Sequence, residues 1–286
     1  MTTVMLVAHH ERAEAALLAG EAAAWLAARG HRAWMPASDA TMLGLDHLAS
    51  DVESTSSSSD LAVSIGGDGT MLRTVELVGG APVPILGVNV GQLGYLAEVE
   101  SPGLTHALER FLAGDFQIEP RMMLDIEVRH RHDPGSVAAF RALNEAVIEK
   151  SAPGHTVRLL VQIDGSPFTT YAADGLIVAT PTGSTAYSLS ARGPIVSPRH
   201  RAVLVTPVSP HMLFDRSLVL DPEELVEVRL LGHRPGVLSV DGRRLAELVE
   251  GDTVACRPAA DDALLVRFSR RHFHQILKAK FGLSDR

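Results

Sequence analysis

The chain has 286 residues, with 26 lysines and arginines against 34 aspartates and glutamates, which gives a net charge of −8. A net-acidic chain without a run of basic residues is poorly suited to the phosphate backbone of DNA or RNA, so we expect no nucleic-acid partner. The hydrophobic share of 46% and the charged share of 21% are typical of a globular protein with one large domain or two ordinary ones.

The single cysteine and the first apolar run of the chain bear on its location. Cys256 has no second cysteine with which to form an internal disulfide. The apolar run 4–8 is too short for the core of a signal peptide and far too short to span a membrane. We therefore expect a cytoplasmic protein without a membrane partner.

Strands and helices alternate over the first 115 residues. Compact apolar runs predict buried strands, and the alanine-rich segment 13–29 has strong helix propensity and is followed by Gly30, a residue favoured at helix ends. The predicted strands are 4–8, 31–35, 61–65 and 84–89, and the second predicted helix is 71–78. The serine-rich stretch 54–59 predicts a polar loop that does not pack. This alternation predicts a parallel sheet covered by helices.

The second half of the chain is rich in short strand candidates separated by Gly, Pro and Asp turns. They are 124–129, 156–163, 175–179, 202–206, 225–230, 237–240 and 263–268, with predicted turns at 132–135, 164–165, 234–236 and 241–242. The pattern predicts two packed sheets. We expect an α/β domain over 1–118, a β-rich, sandwich-like domain over 119–269, and a terminal helix over 270–286 that packs back on the first domain.

The segment Gly66-Gly67-Asp68-Gly69-Thr70 lies between a predicted strand and a predicted helix. Glycines let backbone N–H groups approach a ligand closely, and the start of a helix attracts an anion. The segment lacks the Walker lysine and the GxGxxG spacing. A carboxylate in such a turn repels phosphate, so Asp68 needs a compensating role, either in holding Mg²⁺ or in accepting a proton from a hydroxyl nucleophile. The alternative is that Asp68 only caps the helix.

The segment 173–190 leads from an apolar strand into a turn rich in small hydroxyl residues. These are Thr180, Thr182, Ser184, Thr185, Ser188 and Ser190. Capping of a helix start explains one or two hydroxyls, whereas six favour the binding of a polar ligand. Tyr187 offers a flat face on which a base can stack, and Asp174 can accept hydrogen bonds from a ribose or an exocyclic amine.

Four segments together resemble the ordered signature of the bacterial NAD kinases. They are GGDGT at 66–70, NVGQLGYL at 89–96, Asn144-Glu145, and DGLIVATPTGSTAY at 174–187. The GGDGT motif is shared with diacylglycerol, sphingosine and 6-phosphofructo-kinases, whereas the last segment is specific to NAD kinases. The resemblance covers nearly the whole chain and implies an α/β N-terminal domain and a β-rich C-terminal domain.

The family transfers the terminal phosphoryl group of ATP, or sometimes of polyphosphate, to the 2′-hydroxyl of the adenosine ribose of NAD. The resemblance implies that Asp68 is the general base, that Mg²⁺ is bound largely through the ATP phosphates, and that the chain forms a homodimer or homotetramer. The implied phosphate loop is Gly66, Gly67, Gly69 and Thr70. The implied NAD-binding residues are Asp68, Gly69, Arg73, Asn144, Glu145, His155, Asp174, Thr185, Ala186, Tyr187, Ser188, Leu189 and Ser190. The turn that carries Asp241 and Arg243 is implied to reach the NAD site of a neighbouring subunit.

Two residues depart from the family pattern. Ala172 stands where some members carry an arginine thought to favour NAD over NADH, so the preference between the two stays open. Arg192 stands where a second glycine is usual, as either an exposed substitution or an added phosphate contact. The close histidine pairs at 9/10, 130/132 and 272/274 have no carboxylate or cysteine at ligand spacing, so we expect these histidines to face solvent.

Two other functions share parts of this pattern. A lipid kinase of the diacylglycerol type would share the GGDGT loop and the two-domain plan, but the sequence lacks a membrane-facing apolar or basic stretch. A non-catalytic dinucleotide sensor would keep the pocket without the chemistry, and the retention of Asp68 argues against it. An assay with NAD, ATP and Mg²⁺ separates the three functions.

Overall fold

The computed structural model describes residues 1–91, 94–269 and 273–283, and these form two compact units. The first unit is Met1–Pro120 together with the described residues from Ala263 onward, and the second is Arg121–Asp262. No helix within the described part of the chain is long and apolar enough to cross a membrane.

The regular elements are named here in chain order. The strands are β1 (Thr3–Ala8), β2 (Arg32–Pro36), β3 (Ala49–Ser50), β4 (Leu61–Gly66), β5 (Ile85–Asn89), β6 (Val99–Glu100), β7 (Gln117–Arg121), β8 (Leu124–His130), β9 (Asp133–Ala142), β10 (Glu145–Lys150), β11 (Val157–Ile163), β12 (Ser166–Ala173), β13 (Gly175–Ala179), β14 (Val203–Val208), β15 (Leu218–Leu220), β16 (Val226–Leu231), β17 (Gly236–Val240), β18 (Arg243–Leu248), β19 (Thr253–Pro258) and β20 (Ala263–Arg267). The helices are α1 (Ala13–Ala27), α2 (Ala37–Leu43), α3 (Val52–Thr55), α4 (Asp68–Val78), α5 (Leu104–Leu112), α6 (Tyr187–Ser190) and α7 (Phe273–Lys280).

The first unit is built on one sheet with strand order β3-β2-β1-β4-β5-β20-β7, and β6 also pairs with β5. The pairs β2–β3, β1–β2, β1–β4, β4–β5, β5–β6 and β5–β20 are parallel. The central strands β4 and β5 are buried along their whole length, as expected of a parallel sheet with both faces covered. The predicted α/β class of this unit is confirmed.

Two predictions about this unit need correction. The run at 263–268 was expected in the β-rich half, but β20 pairs with β5, since a short apolar run does not specify the sheet that it joins. The stretch 54–59 is not an unpacked loop. It continues α3 into a 3₁₀ turn, and the buried Ser59 hydroxyl accepts a 2.9 Å hydrogen bond from the Trp34 indole N–H.

The terminal helix belongs to the first unit. The Lys280 ammonium of α7 lies 4.8 Å from the centre of the Tyr95 ring, which agrees with the prediction that this helix packs on the first domain. Of the predicted helix 270–286, residues 270–272 and 284–286 lie outside the described residues, as does His272 of the histidine pair 272/274.

The second unit is a sandwich of two six-stranded sheets. Their strand orders are β15-β14-β13-β10-β17-β18 and β12-β11-β16-β19-β8-β9. Buried side chains from both sheets, such as Leu124, Ile148 and Tyr171, share one hydrophobic core, which confirms the predicted β-rich class. The turn expected at 132–135 lies at 131–132 instead, because β9 already begins at Asp133.

Candidate active site

The GGDGT segment joins the end of β4 to the start of α4 in the first unit. Gly66 is the last residue of β4, Gly67 precedes the helix, and Asp68 is its first residue. A Cβ atom at Gly66 would lie 2.2 Å from the Thr70 Oγ1, so only glycine lets the chain turn this tightly over the helix. The backbone N–H groups at the start of α4 are therefore presented at a strand–helix junction suited to an anion.

The Asp68 carboxylate does not cap its own helix. No side-chain capping bond is present at the start of α4. Instead, Oδ2 accepts a 2.9 Å hydrogen bond from the Tyr95 N–H, and Oδ1 accepts a 3.1 Å hydrogen bond from the Leu96 N–H. The capping alternative is wrong, because the carboxylate is held by a loop 27 and 28 residues further along the chain.

A cavity of about 490 Å³ lies in the first unit beside this loop. Its lining residues are Ala8, His9, His10, Glu11, Arg12, Gly67, Gly69, Thr70 and Arg73. They come from the carboxyl end of β1 and the start of α4, and the ligand sites of open α/β sheets lie at the carboxyl ends of their strands. Arginine and histidine side chains with helix N–H groups make this cavity suited to a phosphate-bearing ligand.

Arg73, which the resemblance assigns to the dinucleotide, is strongly engaged within the protein. Its NH1 donates a 2.8 Å hydrogen bond to Asp39 Oδ2, and its NH2 pairs with Asp39 Oδ1. Asp39 is completely buried, and His10 Nε2 lies 3.2 Å from the same carboxylate. His10 therefore does not simply face solvent, and the sequence did not reveal that the buried Asp39 holds two residues that line the cavity, Arg73 and His10.

In the second unit, the backbone around Asn144 and Glu145 is held by one aspartate. The Asp241 carboxylate accepts hydrogen bonds from the backbone N–H groups of Leu143, Asn144 and Glu145 at 2.8, 2.8 and 3.0 Å. In return, the Asp241 N–H donates to the Glu145 carbonyl at 3.0 Å. We call this set of four hydrogen bonds the Asp241 clamp.

Asp241 occupies the hairpin turn between β17 and β18. Its φ is 46°, and Gly242 follows at 80°, which is the left-handed pair expected for a tight hairpin. The predicted turn is confirmed, but the carboxylate is directed at its own chain. The expectation that Asp241 and Arg243 contact the site of a neighbouring subunit stays a prediction.

The Glu145 side chain is buried at the start of β10, only 5% exposed. The backbone N–H of Tyr187 donates to its carboxylate, but Oε2 has no hydrogen-bond partner among the described residues. Burial and, to a smaller extent, the nearby Asp241 charge raise the pKa of Glu145 to about 8, although the Tyr187 hydrogen bond opposes the shift. At neutral pH Glu145 is therefore mainly a neutral carboxyl that can both donate and accept hydrogen bonds.

This shift predicts a pH-dependent stability. A carboxyl with a raised pKa binds its proton more tightly in the folded state, so its contribution to stability is fully present below about pH 4.5 and is lost as the pH rises from there to about 8. Between pH 6 and 9, we expect the wild-type chain to lose roughly 3 kcal/mol of unfolding free energy relative to Glu145→Gln. Denaturant unfolding at both pH values measures this difference. The exposed Glu250→Gln is the control, and parallel pH profiles for wild type and Glu145→Gln would contradict the raised pKa.

The hydroxyl-rich segment that follows β13 mainly holds its own turn together. Thr180 Oγ1 donates to the Leu143 carbonyl at 2.6 Å, Ser184 Oγ donates to the Pro181 carbonyl at 2.7 Å, and Thr185 Oγ1 donates to the Thr182 carbonyl at 3.2 Å. The buried Ser188 hydroxyl contacts Thr206 Oγ1 at 3.2 Å. These hydroxyls therefore have partners within the protein, and their contacts with a ligand stay a prediction. A buried chain reversal needs partners for its backbone groups, and the hydroxyls supply them.

The same turn lies directly against Asn144. A Cβ atom at Gly183 would be 2.1 Å from the Asn144 carbonyl oxygen, and the Thr180 N–H donates to that oxygen at 2.9 Å. The structure therefore brings Asn144 together with the turn that begins at Thr180, 36 residues further along the chain. Asn144 and Glu145, the Asp241 clamp and the start of α6 form one cluster in the second unit.

Tyr187 lies at the start of α6 with its side chain 39% exposed, so its ring face can accept a flat ligand. Burial raises the pKa of its hydroxyl, and the carboxylates of Glu149, Asp174 and Glu145 raise it further. Asp174 is paired with Lys150, whose ammonium lies 2.5 Å from Oδ1. The sequence predicted Asp174 and Tyr187 but not Lys150 and Glu149, because their roles follow only from the pairing of β10 with β13.

The remaining predicted binding residues are half-buried or exposed. Ala186 and Leu189 are half-buried around the start of α6, whereas Ser190 is exposed. His155 is exposed between β10 and β11, and Arg243 is exposed at the start of β18. The structure does not bring His155 into the Asn144 cluster, and its role in binding NAD stays a prediction.

Arg192 follows α6 with a φ of 67°, a left-handed conformation that favours glycine. Its N–H donates to the Leu189 carbonyl at 3.0 Å, and its side chain is exposed. Of the two alternatives, the structure supports an exposed substitution. We expect Arg192→Gly to raise the free energy of unfolding by about 1 kcal/mol, because relief of left-handed strain exceeds the entropic cost of glycine. Thermal unfolding measures the change, and a lower melting temperature would contradict it.

Comparison with known families covers both units. Residues 4–116 match the family described as ATP-NAD kinase N-terminal domain, and residues 143–268 match ATP-NAD kinase C-terminal domain. The chain belongs to the NAD kinase family. The GGDGT loop and Arg73 lie in the first matched range, and Asn144 and Asp241 lie in the second.

The sequence relatives agree with membership of the NAD kinase family, and two solved structures share the fold. The chain is 40% identical over 281 residues to the NAD kinase of Heliobacterium modesticaldum, covering 98% of each chain, and 40% identical over 270 residues to that of Geobacter sulfurreducens, covering 94% of each. The yeast NADH kinase complexed with NADH has a TM-score of 0.89 at 24% identity, covering 100% of this chain and 89% of that one. An NAD kinase from Archaeoglobus fulgidus in complex with ATP has a TM-score of 0.71 at 22% identity, covering 99% of each. At these identities the two structures support the fold alone.

Proposed function

We propose that the protein is an NAD kinase that transfers the terminal phosphoryl group of ATP to the 2′-hydroxyl of the adenosine ribose of NAD, giving NADP. Family membership over both units supports this activity. The observation that carries the chemistry is the Asp68 carboxylate, which is fixed by two backbone N–H groups at the strand–helix junction, between Gly67 and Gly69, two residues that line the 490 Å³ cavity. A fixed carboxylate next to a phosphate-binding loop is what an alcohol nucleophile requires.

In the proposed reaction, the ribose oxygen forms a new bond to the γ-phosphorus while the bond from that phosphorus to the β–γ bridging oxygen breaks. ADP leaves with the bonding electrons, and the hydroxyl proton passes to the Asp68 carboxylate. Backbone N–H groups at Gly67, Gly69 and Thr70 would stabilise the phosphate oxygens. Asn144, Glu145 and Tyr187 would hold the nucleoside, with the neutral Glu145 carboxyl adding no charge repulsion against the phosphates.

We further propose that Mg²⁺ is held largely through the ATP phosphates. Among the described residues, no group of three or more His, Cys, Asp or Glu side chains is arranged to hold a metal ion. Mg²⁺ does not require such a group, because it is usually bound by one or two protein carboxylates together with substrate phosphates. Asp68 is the one carboxylate within the GGDGT loop, and the ion would neutralise charge on the transferred group.

We propose that the protein is cytoplasmic and that it forms an oligomer. The lone cysteine, Cys256, is buried in the second unit, and burial raises the pKa of its thiol to about 12, so it is unreactive. A homodimer or homotetramer is proposed from the family resemblance. Light scattering on the purified full chain would measure the subunit count, and a monomeric mass would overturn this part of the proposal.

The activity is tested by measuring NADP formation from NAD, ATP and Mg²⁺ with the purified chain. The same assay with NADH addresses the preference that Ala172 leaves open, and polyphosphate in place of ATP addresses the donor. NADP formation supports the proposal. Binding of NAD without NADP formation would indicate a sensor, and phosphorylation of diacylglycerol would indicate a lipid kinase, although family membership over residues 143–268 does not support that alternative.

A further inference from the structure

The loop after β5 makes a specific contact with the proposed base. Tyr95 and Leu96 each direct a backbone N–H at a different oxygen of Asp68, at 2.9 and 3.1 Å. Two donors on two oxygens fix both the position of the carboxyl group and the rotation of its plane. Because backbone donors cannot rotate away as side chains do, the orientation of Asp68 depends on where this loop lies.

Gly94 is the residue that allows the contact. A Cβ atom at this position would lie 2.1 Å from Asp68 Oδ1 and 2.7 Å from Cγ, far inside van der Waals contact. The contact with the Asp68 carboxylate therefore leaves room only for glycine at this position.

The loop is anchored from the opposite side by a buried arginine. Arg267 on β20 donates from NH1 to the Leu96 carbonyl at 3.1 Å, so the same peptide segment is held by Asp68 at its N–H and by Arg267 at its C=O. Arg267 is itself fixed by Glu98 at 3.2 Å and Glu119 at 3.1 Å. The Glu98 N–H donates to the Gly87 carbonyl at 2.8 Å, which ties the loop back to β5.

We propose that Gly94, with the amides of Tyr95 and Leu96 and the Arg267 anchor, is a positioning device for Asp68. The inference rests on the proposed base role of Asp68, and it assigns a role to the NVGQLGYL motif that the resemblance left without one. Gly94 and Arg267 are positioning residues, because they act on the reaction only through the Asp68 carboxylate. A misplacement of a reacting group by about 1 Å lowers turnover by roughly 10²-fold.

The test is a double-mutant cycle between Gly94→Ala and Asp68→Asn, measured as NADP formation at saturating ATP. We expect Gly94→Ala to lower kcat by roughly 10- to 100-fold, with the dissociation constant of NAD changed less than about twofold. The double variant should be no slower than Asp68→Asn alone, because displacing the base has no effect once the base has been removed. Gly103→Ala, whose added Cβ makes an ordinary 3.8 Å contact with Val99, is the matched control and should keep wild-type kcat.

Each outcome decides a different point. Multiplicative losses in the double variant, or weaker NAD binding at unchanged kcat, would overturn the positioning role. Unchanged kcat in Asp68→Asn itself would instead overturn the base role on which the inference rests. If thermal unfolding shows that Gly94→Ala is not folded, Arg267→Lys takes its place in the double-mutant cycle. Lysine keeps the charge beside Glu98 but lacks the guanidinium fork. The double variant of Arg267→Lys and Asp68→Asn is again expected to be no slower than Asp68→Asn alone.

Discussion

Replacing Asp68 with asparagine is expected to lower the turnover of NAD by roughly 10²- to 10⁴-fold, the range that a general base contributes. The variant is nearly isosteric, and its side-chain oxygen can still accept one of the two loop N–H groups. NAD binding should therefore change little, because the nucleoside contacts are proposed for residues of the second unit. The loss of activity should appear as a lower kcat, and the dissociation constant of NAD should stay within about threefold of wild type.

The measurement pairs initial rates of NADP formation with calorimetric titration of NAD. Asp46→Asn is a matched control, since Asp46 is an exposed aspartate of the same unit whose Oδ1 accepts a 3.0 Å hydrogen bond from Thr41. That control should keep wild-type turnover. If Asp68→Asn also keeps wild-type turnover, Asp68 is not the base, and charge stabilisation by the loop and Mg²⁺ accounts for the catalysis.

Much of the fold could be predicted because its signals are local. Apolar runs such as 61–65 and 85–89 predict buried strands. The pairs Asp164-Gly165 and Asp241-Gly242 predict tight turns, because their residues tolerate positive φ. The partner of a strand is a non-local property. The position of β20 beside β5, with about 180 residues between them, leaves no trace in either segment. Half-exposed strands such as β18 and β19 also lack the continuous apolar run that made the others visible.

The candidate site shows the same division. The motifs located Asp68 and Arg73, but not the contacts that hold them in place. The Leu96 N–H binds Asp68, Arg267 binds the Leu96 carbonyl, and the buried Asp39 carboxylate binds Arg73, in each case from a distant segment of the chain. Sequence spacing carries no information about such contacts. The dense hydroxyls after β13 are ambiguous for a different reason, because residues that can bind a ligand are also those that satisfy a buried turn.

Removing the Asp241 clamp should affect both stability and NAD binding. In Asp241→Ala three backbone N–H groups lose a charged acceptor, which we expect to lower the free energy of unfolding by about 2–4 kcal/mol. The freed backbone at Asn144 and Glu145 no longer holds these side chains in one place. The dissociation constant of NAD should therefore rise at least roughly tenfold, or about 1.4 kcal/mol.

The chain contains a closely matched control for this variant. Asp164 occupies the turn between β11 and β12 with a φ of 49°, followed by Gly165 at 73°, so Asp164→Ala places alanine in the same strained conformation. Among the described residues, its carboxylate accepts one hydrogen bond, from the Leu225 N–H at 2.9 Å. Asp164→Ala should therefore lose less stability and leave NAD affinity unchanged. The difference between the two variants isolates the clamp from the strain of the turn.

Asparagine at the same position completes the argument. Asn tolerates positive φ and keeps one acceptor oxygen, so Asp241→Asn should lie between wild type and Asp241→Ala in both unfolding free energy and NAD affinity. It also removes a negative charge that helps to raise the pKa of Glu145, so the fall in stability with rising pH should end at a lower pH and be smaller in total. Unaltered NAD affinity in Asp241→Ala, despite lower stability, would show that the clamp supports the fold without positioning the binding residues. A coupled change in NAD affinity and Glu145 titration would instead tie the hairpin turn directly to the nucleoside site.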